Sequence, residues 1–155
     1  MPSQLLAQPS QFLGFALGGL EYGLDYAAVR ELKAYRELER FFSDGEIIGG
    51  VAYSSGVIMP VMDLRAAFAD SAAGVAPSPD TDVIVVRVAA GVVGVVVERV
   101  TGVVRMRPEQ VVPLPGAHAD ADYLIGLGLA RGRRMILIDI DRLMSLAPTE
   151  SRQVA

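Results

Sequence analysis

The first regular pattern along the chain has a period of two. Leu13, Phe15 and Leu17 alternate with Gly14 and Ala16, Gly18-Gly19 follows, and Leu20, Tyr22 and Leu24 resume the alternation. Two alternating runs joined by Gly-Gly predict a β-hairpin. From 26 to 40 the pattern is divided. Val29, Leu32 and Tyr35 sit at helical spacing among good helix formers, yet residues 29–32 lie opposite strand-like residues in a later copy of the same pattern. Because tertiary context overrides local propensity, the expectation is a short helical turn near 25–28 followed by an extended stretch. Residues 47–51 and 57–62 read as two more strands around Ser54-Ser55-Gly56, with Pro60 at an edge or a bulge where no ladder donor is required. Beyond a linker come strands at 83–88 and 92–97, a mixed stretch to Met106, a turn-rich segment over 108–122, strands at 123–129 and 134–139, and a terminal helix from about 141 to 146.

The same pattern occurs twice. Gly50, Gly56 and Asp63 in the first half are answered by Gly126, Gly132 and Asp139 in the second, each pair lying in an apolar strand, turn and strand unit that ends on an acidic residue. At a slightly shorter offset, residues 15–23 are echoed by 86–94, and Val29 falls opposite Val100. Two copies in one order imply a duplicated β unit, with a groove between the copies and two separate outer faces. Residues 69–82, small, acidic and proline-rich without periodicity, read as the linker. The expected organisation is one domain over 11–146 with approximate lobes 11–68 and 83–146. An N-terminal strand or the C-terminal helix packs across the lobes as a further option, and 1–10 and 147–155 form tails. Many short strands separated by Gly and Pro point to small antiparallel barrels, a mostly β fold.

Composition narrows the function. Hydrophobic residues make up 52% of the 155 and charged residues 21%, more apolar than an ordinary soluble domain, and part of that surplus is expected to serve a partner. With no cysteine there is no disulfide framework, thiol nucleophile or cysteine metal cluster. A net charge of −4, scattered arginines and no tryptophan argue against nucleic acid as a partner. The longest apolar runs fall short of a membrane span and the N-terminus lacks a basic export signal, so the expectation is a cytoplasmic chain with no direct membrane insertion.

Candidate chemistry is sparse. His118 stands alone beside Asp120 and Asp122 in a Pro-Gly-Ala loop, and one imidazole makes a weak zinc site, so no metal and no cofactor is expected. No Gly-x-Ser-x-Gly elbow or phosphate-binding glycine loop occurs, and the only histidine is far along the chain from Ser54-Ser55. The chain is therefore not read as an enzyme. The repeated glycines read as turn and bulge residues, and Asp63 and Asp139 as helix N-caps.

Three stretches resemble the CheW family of bacterial chemotaxis coupling proteins: FLGFALGGLEYGLDYAAVREL near the start, IIGGVAYSSGVIMPVMDLRAAF in the middle, and VGVVVERVTGVVRM with YLIGLGLARGRRMILIDIDRLM in the second half. The resemblance implies two five-stranded SH3-like barrels around a shared hydrophobic core, with short helices including one at the C-terminus. It implies an adaptor between the regulatory domain of the histidine kinase CheA and the cytoplasmic tips of methyl-accepting chemotaxis receptors, recruited to membrane-associated arrays. Carried over residue by residue, Val29, Glu31, Gly50, Ser55, Val97 and Val100 are receptor-groove candidates, and Gly126, Leu127 and Arg133 are kinase-interface candidates. Ser55 stands where the family carries an arginine that reaches the acidic position matched by Glu31, so that ion pair cannot form here. Two alternatives stay open: a scaffold of the same fold that binds only kinase or only receptor, and a small β-barrel that binds a ligand in its groove.

Overall fold

The structure is a computed structural model that describes residues 6–42, 50–54, 57–65, 77–114 and 123–145. Its strands run β1 (Ser10–Leu17), β2 (Leu20–Asp25), β3 (Val29–Ala34), β4 (Glu39–Phe42), β5 (Gly50–Ser54), β6 (Val57–Asp63), β7 (Asp82–Val88), β8 (Gly91–Val96), β9 (Arg99–Met106), β10 (Val111–Val112), β11 (Leu124–Ala130) and β12 (Arg133–Ile138). Short 3-10 turns cover Tyr26–Ala28, Tyr35–Glu37 and Pro108–Gln110, and a helix covers 140–145. The divided segment after Asp25 resolves as expected. Asp25 Oδ1 accepts from Ala27 N at 2.9 Å to cap one 3-10 turn, and β3 follows.

Sheet I has the order β10-β11-β12-β2-β1-β9 and sheet II the order β3-β7-β8-β6-β5-β4. Both sheets curl. β3 and β4 lie at opposite edges of sheet II, yet only residues 35–38 join them. Five flat strand spacings separate such edges by about 24 Å, whereas five residue steps reach at most about 17 Å, and a 3-10 turn shortens that. β9 and β10 impose the same closure on sheet I through residues 107–110. Each β3-turn-β4 or β9-turn-β10 run is thus one bent strand counted twice, which reconciles six hydrogen-bonded segments per sheet with five per barrel.

Read from β10 and from β4, the two orders are identical under the sequence repeat, including one parallel pairing each, β12 with β2 and β6 with β8. Leu137 opposite Gly23 repeats Val61 opposite Gly94. Each edge strand carries a bulge at the matching place, skipping Arg30 in β3 and Thr101 in β9. Even the caps repeat: Glu37 Oε1 accepts from Ala34 N as Gln110 Oε1 accepts from Arg107 N.

The sheets do not coincide with lobes 11–68 and 83–146. Hairpin β1–β2 sits between β9 and β12 in sheet I, and hairpin β7–β8 sits between β3 and β6 in sheet II. Each half donates its first hairpin to the other barrel. The reason is visible in the cores, because the donated strands bury both faces. In β7, Val83 and Val85 point into barrel II while Ile84, Val86 and Val88 point into the core between the barrels. In β1, Phe12 points into barrel I while Leu13, Phe15 and Leu17 join the central core. A strand buried on both sides reads as a near-continuous apolar run, as β7 and β8 do.

The helix 140–145 adds Leu143 and Met144 to the central core, with Asp139 Oδ1 accepting from Asp141 N and Arg142 N as its N-cap. Pro60 belongs to an interior strand rather than an edge, but pairing with β8 begins only at Val61, so its missing donor faces no partner there. Of the expected linker, Asp82 opens β7. Thr81 O and Pro79 O accept from Tyr35 N and Arg36 N at 2.8 and 3.1 Å, and 69–76 lie outside the described residues.

Candidate partner-binding surfaces

The receptor-groove candidates divide between surface and core. Val29 opens β3 and Val100 lies in β9 opposite Phe15; both are half-buried and pack against the central core from different sheets. Glu31, also half-buried, pairs with Lys33 Nζ at 3.2 Å, two residues along the same strand and therefore on the same face. Its charge is thus met locally, without residue 55. Gly50 opens β5 opposite Val61. Ser55 lies outside the described residues. Val97 is fully buried, and its N–H donates to Asp82 O at 3.1 Å. Its side chain joins Val93 and Val95 in the central core and lines no surface, a correction to its candidacy that follows from the alternation of β8 continuing one residue past its end at Val96.

The kinase-interface candidates fall on two faces of sheet I. Across the β11–β12 hairpin, Gly128 faces Met135 and Leu127 faces Ile136. Gly126, Gly128, Arg133, Met135 and Leu137 share the inward face, whereas Leu127, Leu129, Arg134 and Ile136 share the outward one. Gly126 is buried opposite Leu137, Leu127 is half-buried, and Arg133 projects at the mouth of barrel I. Leu129, 41% exposed, and Arg134 are the surface neighbours of Leu127 that sequence reading passed over, although strand parity across the hairpin indicates them. On barrel II the equivalent outward positions 58 and 60 are Ile58, 58% exposed, and Pro60.

One dense polar arrangement among the described residues was not singled out from the sequence. Glu21, at an inward position of β2, receives Arg133 Nε at 3.1 Å and Nη2, and the Thr101 hydroxyl at 2.5 Å. The Arg133 guanidinium holds the Glu21 carboxyl below the ordinary carboxylate range against the opposing effect of burial, with Thr101 and the nearby charge of Arg99 adding to it. Glu21 in return raises Arg133. The one local signal was a charged residue in phase with the inward-facing Gly23. Its partners lie 80 and 112 positions away, beyond any spacing rule. Glu98 Oε2 accepts from Gly18 N at 3.0 Å beside this cluster. Among the described residues, no group of three or more His, Asp and Glu side chains is positioned to hold a metal ion, and no helix is long and apolar enough to cross a membrane.

The duplicated, hairpin-exchanging pair of curled sheets has counterparts. The CheW-like domain model matches residues 11–147. The chain belongs to the CheW family. It is 39% identical over 137 residues to the chemotaxis protein CheW of Klebsiella aerogenes, covering 87% of this chain and 81% of that one. It is 25% identical over 147 residues to the chemotaxis protein CheW of Rhizobium meliloti, covering 94% and 92%. The crystal structure of the scaffolding protein TtCheW from Thermoanaerobacter tengcongensis superimposes with a TM-score of 0.71 at 24% identity, over 90% of this chain and 94% of that one. The fold is accordingly the expected pair of SH3-like barrels around a shared core.

Proposed function

We propose that this chain is a non-enzymatic adaptor in chemotaxis signalling that couples the cytoplasmic tips of methyl-accepting receptors to the regulatory domain of the histidine kinase CheA. Membership of the CheW family across residues 11–147 carries the reading. Two features of the chain support it. Duplicated barrels present two outward sheet faces, Leu127-Leu129-Arg134 on one and Ile58-Pro60 on the other, each with exposed apolar side chains of the kind that protein interfaces bury. Half-buried Val29 and Val100 flank the central core at edge strands, and the Glu31–Lys33 pair keeps the polar rim of β3 charged but satisfied. Receptor docking then takes the form of an apolar helical hairpin laid against the Val29 and Gly50 region, and kinase docking the form of barrel against barrel. Weak contacts of this kind gain strength from repetition in an array at the membrane's cytoplasmic face. No bond is made or broken in this scheme.

Titration calorimetry of the chain against a CheA regulatory domain and, separately, against a receptor-tip fragment tests it. Binding to both is the expected result. Binding to the kinase alone establishes the second reading, a scaffold whose receptor groove has been repurposed, which the serine at position 55 favours. Binding to neither refutes coupling. Replacing Gly50 by Asp places a charged side chain at the proposed receptor contact, and unchanged receptor binding by that variant refutes this location.

A further inference from the structure

Two crossovers carry the chain from one sheet to the other, and each delivers one of the half-buried valines that flank the central core. After β2 of sheet I, residues 26–28 lead to Val29 in sheet II; after β8 of sheet II, residues 97–98 lead to Arg99 and Val100 in sheet I. The first crossover is closed by its own residues, because Asp25 caps the 3-10 turn within it. The second lacks that cap, since Val96 stands at the place of Asp25 in the repeat. It is held instead by Asp82, at the start of β7. The Asp82 carbonyl accepts from Val97 N at 3.1 Å on the sheet II side, and its Oδ2 accepts from Val100 N at 2.7 Å on the sheet I side. Gln11, at the place of Asp82 in the first half, makes no side-chain hydrogen bond among the described residues, so the fold does not impose this one. Asp82 also lies opposite Ala34 at the end of β3, and the residues before it accept from the turn that follows, Thr81 O from Tyr35 N and Pro79 O from Arg36 N. The buried Thr81 hydroxyl accepts from Ser78 N at 3.0 Å and folds this segment on itself. The strand that begins at Val29 and the strand that carries Val100 are therefore bonded to the same residues 78–82.

We propose that Asp82 is a positioning residue for receptor docking: its carboxylate fixes the start of β9 against β3, sets the separation of the edges that carry Val29 and Val100, and so pre-organises the groove for a receptor tip. The partner in this proposal rests on the coupling function above, whereas the geometry rests on the hydrogen bonds alone. Apolar packing is non-directional and sets no fixed spacing between the two edges, but a carboxylate on a backbone N–H fixes distance and direction together. Without it Val100 N loses its acceptor and the start of β9 takes up other positions. A receptor tip then binds only the fraction of molecules in which the groove is set, and its affinity falls by that fraction. The outward face of β11 and β12 lies across β2 and β1 from β9, so docking there is left intact.

Full-length parent, Asp82→Ala and Asp82→Asn are titrated calorimetrically with a receptor-tip fragment and with a CheA regulatory domain. The separation of the groove edges is read without either partner, by dipolar electron spin resonance between labels at Leu32→Cys and Val103→Cys, exposed positions of β3 and β9 in a chain with no cysteine of its own. Asp82→Ala is expected to bind the receptor fragment about tenfold more weakly, to keep its kinase affinity, and to broaden the label separation. Asp82→Asn, which retains an acceptor for Val100 N, restores most of both losses. Val111→Ala, a truncation in the barrel I core, controls for lost stability and should leave receptor affinity and label separation unchanged. Equal receptor affinity of parent and Asp82→Ala, an unchanged label separation, or a loss in Val111→Ala as large as in Asp82→Ala each overturns the proposal. A parent that fails to bind the receptor fragment refutes coupling instead, and the label separation then still decides whether Asp82 sets the groove.

Discussion

Replacing Gly23 and Gly94 by alanine, one at a time, tests the packing of both barrels with a built-in comparison. The two glycines occupy equivalent places in the parallel ladders β2–β12 and β8–β6, opposite Leu137 and Val61, and each is covered by a methionine from the equivalent strand position. A methyl group on Gly23 would lie 2.5 Å from Met135 Sδ, 3.0 Å from its Cγ and 3.1 Å from Leu137 Cδ2. Relief requires the methionine to change its first torsion inside a filled core. A methyl group on Gly94 would lie 3.0 Å from Met59 Cε, the free end of a flexible side chain, with Val61 and Val83 methyls at an ordinary 3.6 Å. Neither site has the positive φ that excludes alanine. Alanine stabilises both variants by about 0.4–1 kcal/mol through the unfolded chain, and overpacking opposes this by about 1–3 kcal/mol where the core cannot give. Gly23→Ala is expected to lose about 0.5–2.5 kcal/mol net, and Gly94→Ala to stay within about 0.5 kcal/mol of the parent. Urea unfolding followed by far-UV circular dichroism suits a chain without tryptophan, and equal m-values license the comparison. Met135→Ala, expected to lose about 2–5 kcal/mol alone, should lose less in the Gly23→Ala background, since the added methyl then fills part of the vacated space. Equal stabilities for the two glycine variants, or additive behaviour of Gly23→Ala and Met135→Ala, would refute close packing of methionine on glycine.

Further outcomes follow from the same geometry. Glu21 has its folded pKa lowered, chiefly by the Arg133 hydrogen bond, so its contribution is present above about pH 4.5 and is lost as pH falls through the folded value. The melting temperature of the parent should therefore fall towards that of Glu21→Gln as the pH is taken below about 4.5, and a pH-independent difference would exclude this. Burial, reinforced by Tyr123, pushes the Tyr22 phenol up where it stacks on Phe15 with ring centroids 5.8 Å apart. Its neutral form is thus favoured in the folded state, and stability is lost as pH rises past about 10; Tyr22→Phe should flatten that alkaline loss, and an identical profile would contradict it. Because each barrel contains a hairpin from the other half, fragments 1–71 and 72–155 should each lack β structure alone and regain it when mixed at equal concentration, as read by circular dichroism. A fragment that folds independently would contradict the reciprocal exchange.

Local chemistry alone determined the hairpin turn at Gly18-Gly19, where both residues take positive φ, the strands on either side, and the helix cap at Asp139. The repeat, read from spaced glycines and aspartates, carried further. It anticipated two units of one topology, because a duplicated pattern of strand and turn residues reproduces the same pairings wherever it folds. Tertiary structure decided which strand joins which sheet. In β7 and β8 both faces are apolar, so alternation cannot say which face meets the barrel interior and which the central core, and the exchange of hairpins follows from that ambiguity being settled by packing. It also decided that Val97 is core, that Leu127 and Arg133 look opposite ways, and that Glu21 finds Thr101 and Arg133 across 80 and 112 residues. An inward charge announces from sequence that it needs a partner, but only chain closure brings that partner within hydrogen-bonding distance.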